Sequence, residues 1–108
     1  MTTKTIPDEI KQQADAIVAN FNKTMIQAPE NFYVTRYRGQ HLYLDRYDYG
    51  QLSHVCRLKF STGLTDWDFA IYKYSDERYD SEDWFFPGAE YLDGTIEGAM
   101  RAGLEAYP

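Results

Sequence analysis

NFYVTRYRGQHLYLDRYDYGQLSHVCRLKFSTGLTDWDFAIYKYS, residues 31–75, alternates large apolar or aromatic side chains with polar ones and is broken at Gly39, Gly50 and Gly63. A period of two marks strands with one covered face, and the glycine breaks divide the stretch into hairpin-connected pieces. The spacing predicts four consecutive antiparallel strands over 31–38, 41–48, 52–61 and 67–75. Gly39–Gln40, Tyr49–Gly50–Gln51 and residues 61–66 are the expected connections.

Register decides which residues meet, because a slip by one residue exchanges the two faces of a strand. An odd first loop pairs Val34 with Leu44 and Thr35 with Tyr43. Phe32, Val34, Leu42 and Leu44 then line one face, while Tyr33, Tyr37, Tyr43 and Tyr47 line the other. A two-residue loop would oppose Val34 to Asp45 and mix apolar with charged groups, so the odd loop is expected. On the third strand Leu52, His54, Cys56, Leu58 and Phe60 are expected to face the core. Trp67, Phe69 and Ile71 do the same on the fourth.

Before this stretch Ile6, Ile10, Ala14, Ile17, Val18, Phe21 and Met25 recur at helical spacing. Thr5 or Ile6 takes the cap position, Pro7 suits the first turn, Asp8 and Glu9 favour the positive dipole end, and the helix stops before Pro29. After it, Ile96, Ala99, Met100, Gly103 and Leu104 follow a cap at Asp93 or Thr95. Gly98 and Gly103 weaken that helix intrinsically, so close packing against another backbone is expected there. The expectation is a single α+β domain over residues 1–108: an N-terminal helix, a four-stranded antiparallel meander and a C-terminal helix, both helices on one sheet face.

The chain has 108 residues, a net charge of −6 and one cysteine, Cys56. The acidic balance opposes whole-surface attraction to nucleic acid or anionic lipid. A lone cysteine forms no internal disulfide and no thiolate cluster, which fits a reducing cytoplasm. With no long apolar run at the start or elsewhere, neither a signal peptide nor a membrane span is expected, and the expected location is cytoplasmic.

No motif carries recognisable chemistry. His41 and His54 fall on opposite faces in the expected register, so they share no metal, and Cys56 sits on the core pattern. The acidic run around Asp80, Glu82 and Asp83 lacks the spacing and central glycine of a calcium loop. The glycines build no nucleotide-binding fingerprint, and no serine lies in a nucleophile elbow. No metal and no cofactor are therefore expected.

Three readings of function follow. The first is a non-enzymatic interaction module whose face of Tyr33, Tyr37, Tyr43 and Tyr47 meets a second copy of the chain or another protein. Another is a small enzyme or ligand binder with a pocket between the sheet and the 76–91 connection, using Asp80, Glu82, Asp83, Trp84 and Phe86. The last is single-stranded nucleic-acid binding through Arg36, Arg38, Arg46, Arg57 and Lys59 among the tyrosines, which the acidic balance disfavours.

Overall fold

The computed structural model describes residues 5–26, 30–82 and 86–107. Helix α1, Asp8–Phe21, runs into a π-helical turn, Asn22–Ile26. Strands β1 (Asn31–Arg38), β2 (His41–Asp48), β3 (Gln51–Lys59), β4 (Asp68–Lys73) and β5 (Arg78–Asp80) follow, then a single 3₁₀ turn and helix α2, Ile96–Ala106. The sheet is an antiparallel meander in the order β1-β2-β3-β4-β5. The α+β architecture is the expected one with one strand added. That fifth strand emerges from the acidic connection where Lys73 pairs with Arg78 and Tyr72 with Tyr79, and Glu77 takes a positive φ of 51° in the turn.

Both helices cover one sheet face. Ala14, Val18 and Phe21 of α1 join Ile96, Ala99 and Met100 of α2 over Leu42, Leu44, Cys56, Leu58, Phe69 and Ile71. Helix α1 starts behind Pro7, whose carbonyl accepts the Lys11 N–H at 3.0 Å, so Pro7 itself is the cap residue rather than Thr5 or Ile6. Helix α2 is capped by Thr95, whose hydroxyl accepts the Gly98 N–H at 3.0 Å. A Cβ at Gly98 would sit 2.5 Å from the Tyr91 carbonyl oxygen, the close backbone packing expected. At Gly103 the neighbours are instead side chains: a Cβ there would lie 2.6 Å from Val55 Cγ1, with Tyr33 beside it.

The register of the first hairpin differs from expectation. Tyr33 pairs with Arg46, Val34 with Asp45 and Arg38 with His41, leaving the two-residue loop Gly39–Gln40. Gly39 has φ +60°, which a first loop position with no Cβ supplies easily, and such two-residue turns match strand twist. Tyr49 and Gly50 form the next loop, again of two residues because Asp48 pairs with Gln51. Turn geometry thus prevails over the apparent sorting of apolar and charged groups.

The consequence is that β1 is inverted. Tyr33, Thr35 and Tyr37 face the helices, which their hydroxyls make possible. Tyr33 is 2% exposed and donates to the Met100 carbonyl at 2.8 Å, while Tyr37 donates to Asp15 at 2.6 Å and lies 3.1 Å from the Lys11 carbonyl. Thr35 also donates to Asp15, at 2.8 Å. A buried tyrosine is stable where its ring packs and its O–H finds an acceptor, and helix carbonyls and a helix carboxylate provide that here.

A bulge on β3 makes the second inversion. Leu44 pairs with Cys56 but Asp45 pairs with His54, so Val55 is an extra residue. Cys56 and Leu58 remain on the core face as expected, whereas Leu52 and His54 turn to the other one.

Candidate interaction face

The uncovered face of the sheet can be read in rungs from the pairing. At one end Phe32, Tyr47 and Leu52 lie side by side across β1, β2 and β3. The next rung is Val34, Asp45 and His54, and the next is Arg36, Tyr43, Arg57 and Ala70. Arg38, His41, Lys59 and Asp68 close the series. Character changes along the strands from apolar to cationic. Phe32 and Leu52 are 36% and 49% exposed, large apolar groups left in solvent on either side of Tyr47.

Asp45 is the centre of the face and is only 1% exposed. A carboxylate so enclosed needs partners. Arg36 Nε lies 3.3 Å from one oxygen and His54 Nδ1 3.0 Å from the other. The tautomer that satisfies the carboxylate places the neutral imidazole proton on Nδ1. His54 Nε2 then points away from the carboxylate, on a side chain 44% exposed.

Aromatic rings enclose this group. Tyr43 meets Tyr79 at 5.4 Å, Tyr79 meets Tyr72 at 4.9 Å, and His54 lies 5.0 Å from Tyr72, all between ring centroids. Arginines lie over two of the rings, Arg36 at 4.2 Å from the Tyr43 centroid and Arg57 at 5.3 Å from that of Tyr79. Burial, and then the Asp45 charge, push the Tyr79 phenol up to about 12. These contacts use ring edges and faces internally, so the cluster is a rigid floor rather than a set of free stacking platforms.

The expected tyrosine quartet is divided by the register. Tyr43 and Tyr47 lie on the open face; Tyr33 and Tyr37 lie beneath the helices, and Tyr72 and Tyr79 join the open side in their place. The five cations are divided too. Arg36, Arg38, Arg57 and Lys59 share the open face, but Arg46 lies on the covered side, buried, with its guanidinium donating to the Tyr107 carbonyl and its Nε 3.4 Å from Asp48. Arg46 therefore anchors the end of α2 to the sheet. His41 and His54 share the open face, contrary to expectation, because the bulge turns His54 over.

The expected pocket residues are dispersed. Asp80 and Glu82 line a surface hollow with Lys73 and Arg78, and Asp80 accepts the Glu82 N–H at 2.9 Å while ion-pairing with Lys73 at 3.3 Å. The Glu82 N–H bond is the main cause, with Lys73 and Arg78 adding, that holds the Asp80 carboxyl below its usual range. Phe86 stacks on Phe69 at 5.7 Å and belongs to the core periphery. Asp83 and Trp84 lie outside the described residues.

His54 has a carboxylate partner, yet Ser53 lies on the rung of Arg46, facing the other way. Cys56 is fully buried, its thiol pushed up by burial and by Asp45, so it is a poor nucleophile. Among the described residues no group of three or more His, Cys, Asp or Glu is placed to hold a metal ion, and no helix is long and apolar enough to cross a membrane. Sequence reading missed Asp45, His54, Tyr72 and Tyr79 as a unit. The usable signal was Gly39 at the first position of a two-residue loop, which sets the register. No protein-family model, curated protein or solved structure matches the chain.

Proposed function

We propose that the chain is a non-enzymatic binding module whose open sheet face receives an acidic, partly apolar segment of another protein. The observation that carries this reading is the sequence of rungs: an exposed Phe32–Tyr47–Leu52 end beside four cations and two carboxylates, on a chain whose net charge is −6. Apolar side chains left together on a surface anchor partners, and opposite potentials orient them. Two copies stacked face to face would oppose cations to cations in a parallel arrangement and cations to the apolar rung in the reverse one. A second copy is thus a poorer occupant than an acidic partner.

Selection from displayed random peptides tests the reading. Enriched peptides should combine Asp or Glu with Leu, Phe or Trp, and should lose binding by about tenfold or more on Leu52→Asp and on Arg57→Glu. Binding untouched by both substitutions, or enrichment without acidic residues, overturns it. A concentration-dependent dimer abolished by Leu52→Asp would make a second copy the occupant instead. Micromolar binding of single-stranded RNA at about 150 mM salt, lost on Arg57→Glu, would replace protein by nucleic acid. The engaged state of the Tyr43 and Tyr79 rings favours the protein.

A further inference from the structure

At the cationic end of the open face a hollow of about 390 Å³ opens among His41, Arg57, Lys59, Asp68, Ala70 and Ser81. Its construction follows from the pairing. His41 is the direct cross-strand neighbour of Lys59, Tyr43 that of Arg57, and Ala70, opposite Arg57, contributes only a methyl where a longer side chain would fill the space. Neither Arg57 nor Lys59 forms an ion pair among the described residues, although Asp68 stands opposite Lys59 on β4. The Arg57 guanidinium lies instead over the Tyr79 ring, 5.3 Å from its centroid, a contact that positions the charged head without a carboxylate partner. His41 records the same field: its proton affinity is lowered by burial and then by Arg57 and Lys59.

We infer that this hollow is a seat for a phosphate-type oxyanion, in use a phosphomonoester carried by the partner segment. The inference rests on the open-face reading and deepens it. A phosphomonoester brings close to two negative charges and three acceptor oxygens at neutral pH. The hollow offers two cations that form no ion pair among the described residues, the imidazole of His41 and the hydroxyl of Ser81, and its volume exceeds the need of a carboxylate. Arginine and lysine together suit such a group, the first through its fork and the second as a point charge. Asp68 is the sole carboxylate among the described lining residues, and it opposes the bound charge.

The test uses the full chain and inorganic phosphate, read by the proton NMR resonances of the two histidine rings at constant ionic strength. His41 should shift saturably and its titration midpoint should rise with phosphate, while His54 stays unchanged. Lys59→Glu should weaken phosphate by about tenfold or more, and Asp68→Asn should tighten it about threefold or more, since one repulsive charge is removed. The gain in Asp68→Asn cannot arise from misfolding. A His41 shift that does not saturate, one reproduced by chloride, or affinities unchanged in both variants would overturn the seat. A phosphoserine peptide binding more tightly than its aspartate counterpart supports the seat, and equal binding of the two overturns it while leaving the acidic-partner reading in place. If no acidic peptide binds but phosphate still shifts His41 as described, the seat stands and the partner reading falls.

Discussion

Tyr33 sits where the helices, the sheet and Arg46 meet, and its ring and hydroxyl are satisfied separately. The ring packs edge-on to Phe21 at 6.2 Å between centroids and lies under the Arg46 guanidinium, while the hydroxyl donates to Met100. Gly103 is the space that admits it. Alanine is intrinsically better than glycine in a helix by about 1 kcal/mol, but here its methyl would press on Val55 and Tyr33, and overpacking typically costs about 1–3 kcal/mol. Gly103→Ala is therefore expected to lower stability by up to about 2 kcal/mol, seen as a lower urea midpoint at unchanged slope. In a double-mutant cycle Tyr33→Phe should relieve part of that loss, because removing the hydroxyl removes one of the two obstructions. A stabilised Gly103→Ala variant would contradict this packing. Close packing at Gly103 was legible in the sequence, as a costly glycine in a helical pattern. Its neighbour was not, since Tyr33 had to cross to the covered face first.

Among the elements, β1 is an edge strand, and the chain covers its outer side locally. The Asn22 amide, one residue past α1, donates to the Tyr33 carbonyl and accepts the Tyr33 N–H, both at 2.8 Å. A side-chain amide thereby imitates a neighbouring strand and blunts an edge that could template association. Asn22→Ala should lose about 1–3 kcal/mol, from two hydrogen bonds on a partly buried edge, and should raise amide exchange at Tyr33 more than at β3 residues. Unchanged exchange at Tyr33 would refute the clamp. Strand positions were readable because periodicity and glycine turns are local features. Strand β5 was not, because a three-residue strand is too short to display a period and is defined by its pairing with β4. The Val55 bulge escaped for a related reason: an inserted residue changes no composition, only the partner opposite it.

For the molecule as a whole, four tyrosines and the cysteine titrate late. Burial is the first cause in each case, raising the phenols of Tyr33, Tyr37, Tyr79 and Tyr107 and the thiol of Cys56. Their neutral forms are favoured by folding, so the unfolded chain releases these protons at lower pH than the folded one. Stability from this source is complete below the unfolded values, near pH 9–10, and declines as pH rises from there through the folded values. Urea midpoints should accordingly be level from about pH 7 to 8 and fall beyond about pH 9, while tyrosinate absorbance in native protein lags that in urea. Simultaneous ionisation of all ten tyrosines in the native chain would show these hydroxyls to be open to solvent.

The sequence alone determined the helix positions, four strands, their meander order and the core role of Cys56 and Leu58. Each depends on neighbours within a few residues, which propensity, period and turn chemistry report. Only the tertiary structure decided which residues share a face. Facing depends on the parity of the Gly39–Gln40 loop and on one bulged residue at Val55, and a change of one at either place turns a whole strand segment over. Tyrosine leaves the choice open, since its ring can pack in a core and its hydroxyl can bond to a helix or to water. Helix acceptors at Met100, Lys11 and Asp15 took Tyr33 and Tyr37 inward, and that placement left Phe32, Arg36, Tyr43 and Asp45 to form the open face.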